Sequence, residues 1–228
     1  MRALRILLIV AVVLGGILVG IDRLAVSYAE SEASSRVKLS GAPAESVEVD
    51  IKGFPFLTQV VDRRFDEVDV KAAGVRATAG DKDVRVGELT VALRDVTVTG
   101  DWAGAKAGSA SGTALISYAD LTAASDREAT VAYGGNGKVK VTGSVKILGR
   151  SLTRSVLSTV TVVNGDTLKV RADEVPGAGI PGVEELVRAR TDFERPIGLI
   201  AGMKVEKVEP RPDGLAVTVT GKDVALAG

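Results

Sequence analysis

The sequence predicts an α+β fold: a long, curved, mostly antiparallel sheet wrapped around one or two helices, behind an N-terminal membrane helix. Three observations carry that expectation. From Ser46 onward apolar and polar residues alternate with a period of two, Gly, Asn and Pro clusters punctuate the alternation, and Ile6–Ile21 is an uncharged run of sixteen residues.

The apolar run follows Arg2 and Arg5 and ends at Asp22. As a helix it spans about 24 Å, short of the roughly 30 Å hydrocarbon core, so the flanking Arg5 and Arg23 are expected to snorkel. The positive-inside bias of Arg2 and Arg5 places the N-terminus in the cytoplasm and the rest of the chain outside. Residues 1–22 are therefore expected to form a single-pass anchor in the cytoplasmic membrane. AVSYAES offers small residues to a signal peptidase, which keeps secretion after cleavage as the alternative. Residues 23–41 predict a helix leading into the domain, with Leu24 and Tyr28, and one position round Ala25, Ala29, Ala33 and Val37, at helical spacing. No shift of composition divides residues 42–228, which predict a single extracytoplasmic domain.

Within that domain SVEVDI sets Val47, Val49 and Ile51 on one face, DVRVGELTVAL does the same for Leu89, Val91 and Leu93, and GKVKVTGSVKI for Val139, Val141, Val145 and Ile147. These are half-buried antiparallel strands. In LRDVTVTG the phase slips to Val96 and Val98, which predicts a bulge at Arg94 and Asp95. Further strands are expected over 65–72, 130–133, 153–163, 167–172, 204–208 and 215–220, with GGNG, NGD and PDG as hairpin turns. ISYADLTAAS allows a short helical turn. PGVEELVRARTD predicts a helix, because Val183, Leu186, Val187 and Arg190 share a stripe and Glu184 and Glu185 lie at its positive end.

Composition removes whole classes of function. The 29 basic and 29 acidic residues are interspersed, so the basic footprint of a nucleic-acid binder is missing. The chain has no His and no Cys, which excludes imidazole bases, thiol nucleophiles and Cys or His metal sites. No catalytic residue, cofactor site or metal site is expected. The acids at Asp81–Asp83 and at Asp66, Glu67 and Asp69 read as solvated positions, and no spacing singles out a carboxylate pair. GAGIPG at 177–182 fits a dinucleotide loop only in letters, since its neighbours alternate like antiparallel strands. The strand core positions are nearly all Val, with Leu and Ile next. Short branched side chains leave volume to be filled by a helix of the chain or by an acyl chain, and pattern alone leaves both open.

GFPFLTQ, Gly53 to Gln59, holds two of the four Phe residues around a proline. Pro55 fixes its own φ and biases Phe54 toward extended backbone, so an edge strand or its end would put Phe54 and Phe56 on one face. The rings read either as an aromatic plug at one end of the core, or as a rim where a lipid tail enters or a surface that dips into the bilayer.

With V-x-V-x-I-x-GFPFLTQ, the late helix, the PIGL turn at Pro196–Leu199 and the closing strand DGLAVTVTG in that order, the chain resembles the actinobacterial LmeA-like envelope proteins over Ser46–Leu226. GFPFLTQ is the specific part, and Arg195-Pro196 stands where that family commonly has Leu-Pro. The resemblance implies a non-enzymatic extracytoplasmic domain, similar to the tubular lipid-binding proteins, that takes membrane phospholipid, a phosphoinositide among them, and supports mannan elongation on envelope lipoglycans. It favours the acyl-filled reading of the sheet. Phe54, Pro55, Phe56 and Leu57 at the mouth, with Leu199, Ile200 and Met203 after the late helix, are then the expected lipid-binding residues. Two rivals stand beside this reading. An envelope glycolipid enzyme or accessory would depend on a single carboxylate, and a structural scaffold docking through Phe-Pro-Phe would have a dry, fully packed core.

Overall fold

The alternating stretches form eleven strands among the residues described by the computed structural model, which are 2–39, 44–79, 82–100, 104–125, 129–147, 150–173, 188 and 192–226. Six strands make one antiparallel sheet: β1 (Ser46–Lys52), β2 (Arg64–Ala79), β3 (Lys82–Val98), β4 (Ala105–Ile116), β11 (Gly214–Ala225) and β10 (Met203–Arg211), in that spatial order. Five make a second: β5 (Ala129–Gly135), β6 (Lys138–Ile147), β7 (Arg150–Val163), β8 (Thr167–Ala172) and β9 (Phe193–Pro196). Three helices complete the described chain: α1 (Arg2–Leu39), α2 (Phe56–Asp62) and α3 (Tyr118–Ala123). The fold is α+β and mostly antiparallel sheet. The turn clusters act as their letters require, with Asn136 and Asn164 at φ 51° and 54° and their neighbouring glycines also at positive φ.

Cross-strand pairing turns the alternation into a surface. Three rows of partners run across all six strands of the first sheet. They are Val47, Ala72, Leu89, Ala114, Val217 and Val208; then Val49, Val70, Val91, Gly112, Val219 and Val205; then Ile51, Val68, Leu93, Ala110, Gly221 and Met203. Because directly opposite residues share a face, one side of this sheet is apolar without interruption. The intervening rows, such as Asp50, Asp69, Ala92, Ser111 and Thr220, form the wet side.

The phase slip has a different cause from the expected bulge. Asp95 does take positive φ, at 52°, yet β3 keeps the same register with β2 and β4 before and after it, so no extra residue has been inserted. Asp66, Asp95, Gly108 and Asp223 lie in one line across β2, β3, β4 and β11, and Asp223 repeats the positive φ of Asp95. All four strands turn over together at this crease. Beyond it the inward row becomes Phe65, Val96, Ala107 and Val224, all buried. Gly108 eases the close approach there, since a Cβ on it would make a tight 3.0 Å contact with Cβ of Asp95.

α1 is continuous from the apolar run into the domain. Among the described side chains its buried positions are Asp22 and Val26, flanked by half-buried Ala25 and Ala29, so the alanine side of the helix meets the domain while Leu24 and Tyr28, at the same helical spacing, are exposed. Past the crease α1 runs beside the outer edge of β1. There Glu30 Oε1 accepts the Ile51 N–H at 2.8 Å and Ser34 Oγ accepts the Val49 N–H at 3.2 Å. A four-residue step on a helix and a two-residue step on a strand are both about 6 Å, so two side chains cap two successive edge donors and close the edge to other strands.

The second sheet meets the first along β10. Gly165 O, in the β7–β8 turn, accepts the Val205 N–H at 2.6 Å, and Val208 packs against both hydrophobic clusters there. α3, capped by Ser117, bridges the two sheets through Leu121 and Tyr118, and its Thr122 hydroxyl accepts the Val131 N–H of β5. The predicted late helix lies outside the described residues except for Arg188, which is helical, and Asp192; GAGIPG lies outside them entirely.

Candidate functional site

GFPFLTQ divides between buried and exposed side chains, and the motif is not an edge strand. Gly53, at φ 101°, ends β1 and leaves room for Gln59, whose Nε2 a Cβ would approach to 2.7 Å. The Phe54–Pro55 bond is cis, and α2 starts immediately after it. Phe54 and Phe56 therefore do not share a strand face. Phe56 is 4% exposed and packs with Val26 of α1 and with Phe65, Val96 and Ala107 below the crease, its ring centroid 6.2 Å from that of Phe65. Phe54 is 57% exposed under the guanidinium of Arg23, 5.3 Å from its ring centroid. The Gln59 side chain is buried, donating to Lys52 O and accepting the Asp66 N–H at 3.2 and 3.0 Å. Pro55 gives α2 no side-chain cap; the cap comes from α1, where Asp22 Oδ1 accepts the Leu57 N–H at 2.9 Å.

Asp22 was invisible as a functional residue in the sequence because its partner lies 35 positions away. It is 2% exposed, and its Oδ2 has only the Arg23 guanidinium, at 3.8 Å. Helix, motif and sheet are thus locked into one joint where the apolar run ends. Asp22→Ala is expected to cost about 1 kcal/mol of stability by removing the cap, and Asp22→Asn a few tenths at most, because Asn caps as well as Asp. Paired urea unfolding curves of the full chain check this. Lys52, at the lip of the joint, is held above its ordinary pKa by its hydrogen bond to Asp50, against a smaller opposing desolvation, and stays cationic.

Leu199, Ile200 and Met203 lie elsewhere. Leu199 and Met203 pack on Val205, Leu215, Val217 and Val219 at the β10–β11 side, and Ile200 is exposed beside them. The structure does not gather the seven expected residues into one site: Phe56 and Met203 belong to separate clusters. Between those clusters lies the part of the apolar face that sequence reasoning did not single out. Val70, Ala72, Leu89 and Val91 on β2 and β3 are half-buried and belong to none of the clusters among the described residues.

The floor beside them is low. β4 contributes Ala110, Gly112 and Ala114 to the three rows, flanked by Leu and Val of β3 and by Val217 and Val219 of β11. Gly112 is needed for pairing as well, since a Cβ there would lie 2.8 Å from Thr90 O. Ala and Gly of β4 between the larger Val and Leu side chains of its neighbours make a strip of low side-chain height, called the trough below, that offers an elongated apolar guest dispersion contacts and no hydrogen-bond partner. A separate depression of about 350 Å³, beside β8 and β9, is lined by Lys169, Val170, Arg171, Asp192 and Glu194, a surface too polar for hydrocarbon. Of the acids read as solvated positions, Glu67 pairs with Arg94 and Asp69 with Lys52, while Asp66 donates its backbone N–H to Gln59.

A comparison with protein-family models matches residues 20–220 to LmeA, the LmeA-like phospholipid-binding family. The chain belongs to that family. The match spans α1 from the end of its apolar run, the GFPFLTQ joint and both sheets, so the features described above fall within the LmeA-like region. Comparisons with curated proteins and with solved structures returned no match. The family is one of phospholipid binders by its description, in keeping with a site that offers apolar surface in place of acid–base groups.

Proposed function

We propose that this LmeA-like chain is a non-enzymatic, membrane-anchored extracytoplasmic protein that shields phospholipid acyl chains on the apolar face of its six-stranded sheet, in support of envelope lipoglycan assembly. The single observation behind the reading is the apolar face itself, three rows deep and left half-open over β2 and β3 between two packed clusters. Family membership supplies the ligand class. α1 is long and apolar enough to cross a membrane, and its residues from Val12 to Ile21 stand clear of the domain. An anchor rather than a cleaved signal fits the use made of α1 beyond Ile21, where Asp22, Val26, Glu30 and Ser34 complete the fold. Met203, at the end of the third row, and Leu199 border the trough; Phe54, Pro55, Phe56 and Leu57 lie beyond its membrane-side end, across the crease. A phosphoinositide is the proposed headgroup on the resemblance alone.

Burying each methylene is worth about 0.8 kcal/mol, so ten of them hold a lipid without any charged contact. The test uses the full chain in vesicles carrying a phospholipid with a photoreactive diazirine on its acyl chain. Cross-links are expected on Val70, Leu89 and Val91 in addition to the α1 run. Cross-links confined to α1 overturn the proposal, and equal yields with phosphatidylinositol and phosphatidylcholine remove the headgroup assignment.

A further inference from the structure

The joint has a second face that core packing leaves unused. α2 buries Phe56 and Gln59, yet Phe54 at 57% exposure, Leu57 at 39% and Val61 at 80% present three large apolar side chains to the outside, with Leu57 and Val61 one helical turn apart. On a water-exposed surface such a cluster has no rationale. Its position supplies one. Leu57 is hydrogen-bonded to Asp22, the first residue after the apolar run, and Phe54 lies under Arg23.

The run itself is too short. Its sixteen uncharged residues span about 24 Å against a hydrocarbon thickness of roughly 30 Å, a deficit of about one helical turn. A short span draws flanking groups down toward the hydrocarbon or thins the bilayer locally. On the cytoplasmic side the flanking group is Arg5. On the other side the group carried down is the whole α2 joint, because it is fastened to α1 at that level.

We infer that Phe54, Leu57 and Val61 form an interfacial wedge seated at the acyl–headgroup boundary of the outer leaflet, with the bilayer as the occupant of this surface. Arg23, cationic and stacked on Phe54, lies at headgroup depth. The wedge fixes the rotation of α1 about its own axis, and so the direction in which the domain stands on the membrane. It also sets the sheet end below the crease, where Phe65 and Val96 are buried under Phe56, directly against lipid. The inference rests on reading α1 as a membrane helix, and it holds or fails independently of what occupies the trough.

The chain has no cysteine, so single labels can be placed cleanly. Val61→Cys and Asp213→Cys, each carrying a fluorophore on the full chain, are reconstituted in vesicles of phosphatidylcholine and phosphatidylglycerol containing lipids spin-labelled at shallow acyl positions. Asp213 lies in the β10–β11 turn, at the far end of the twelve-residue β11, roughly 40 Å from the crease end. Quenching at Val61 is expected to exceed that at Asp213 by at least threefold, and to fall toward the Asp213 level when Phe54→Asp and Leu57→Asp are introduced together. Equal quenching at the two positions overturns the wedge. Strong quenching at Val61 with no acyl cross-links on Leu89 or Val91 keeps the wedge and removes the trough reading; the converse result keeps the trough and removes the wedge.

Discussion

Phe56→Ala is expected to destabilise the chain by about 3–5 kcal/mol, a large share of the roughly 5–15 kcal/mol that holds a domain together. Phe56 is the α2 side chain buried in the cluster that α1 and the sheet also enter, with Val26, Phe65, Val96 and Ala107, and its ring meets that of Phe65. Removing its ring leaves a cavity between elements that are themselves rigid, so collapse recovers little. Phe54→Ala, two positions away, is expected to cost less than about 1 kcal/mol, because that ring is exposed and loses only its contact with Arg23. Thermal unfolding of both variants, followed by circular dichroism, measures the contrast. Equal losses in the two would mean that the twin rings act as one unit and that the joint has been misassigned.

The same pair of residues marks how far the sequence could be read. Periodicity located β1, β3, β6 and β11 because Val, Leu and Ile there alternate with charged residues or Thr. The α+β class and the antiparallel pairing were legible for that reason, and ISYADLTAAS allows a short helical turn where α3 forms. β4 was not. AKAGSASGTALI carries Ala, Gly and Ser at the positions where a strand usually announces itself with Val or Ile, and its strand state is imposed by β3 and β11 on either side. The pattern nevertheless held the trough, since Ala110, Gly112 and Ala114 alternate like a core face from which the bulk has been removed.

The crease was half legible. The shift from odd to even in β3 exposed it, but the matching turns at Gly108 and Asp223 appear only once the strands are aligned. Read on one strand, a phase change calls for a bulge; read on four, it is a fold line. The joint followed the same rule. Phe-Pro-Phe drew attention as a stiff aromatic element, yet its division into one core ring and one outward ring depends on α2 starting at Phe56 and on Asp22 capping it. Long-range side-chain to backbone bonds leave no local signature in the letters.

Replacing Leu89 and Val91 together by Asp is expected to lower acyl-chain cross-linking by on the order of a hundredfold at limiting lipid, while leaving the domain folded. The two residues sit in adjacent apolar rows on β3 and are half-buried, so their carboxylates can reach water when the trough is vacant. A lipid tail must then either leave them hydrated, giving up contact with that part of the face, or desolvate them at a cost of several kcal/mol. Forfeiting four methylenes alone amounts to about 3 kcal/mol, which is the hundredfold loss. Thr90→Asp, between them on the wet side, places one carboxylate at the same height, half the charge of the double variant, and is expected to change neither binding nor stability. Undiminished cross-linking in a folded Leu89→Asp, Val91→Asp chain would place the acyl chains elsewhere, and the half-open rows would then be a core awaiting a partner protein. A loss in the Thr90 control of equal size would show instead that charge near the membrane, and not contact with the apolar face, governs lipid uptake.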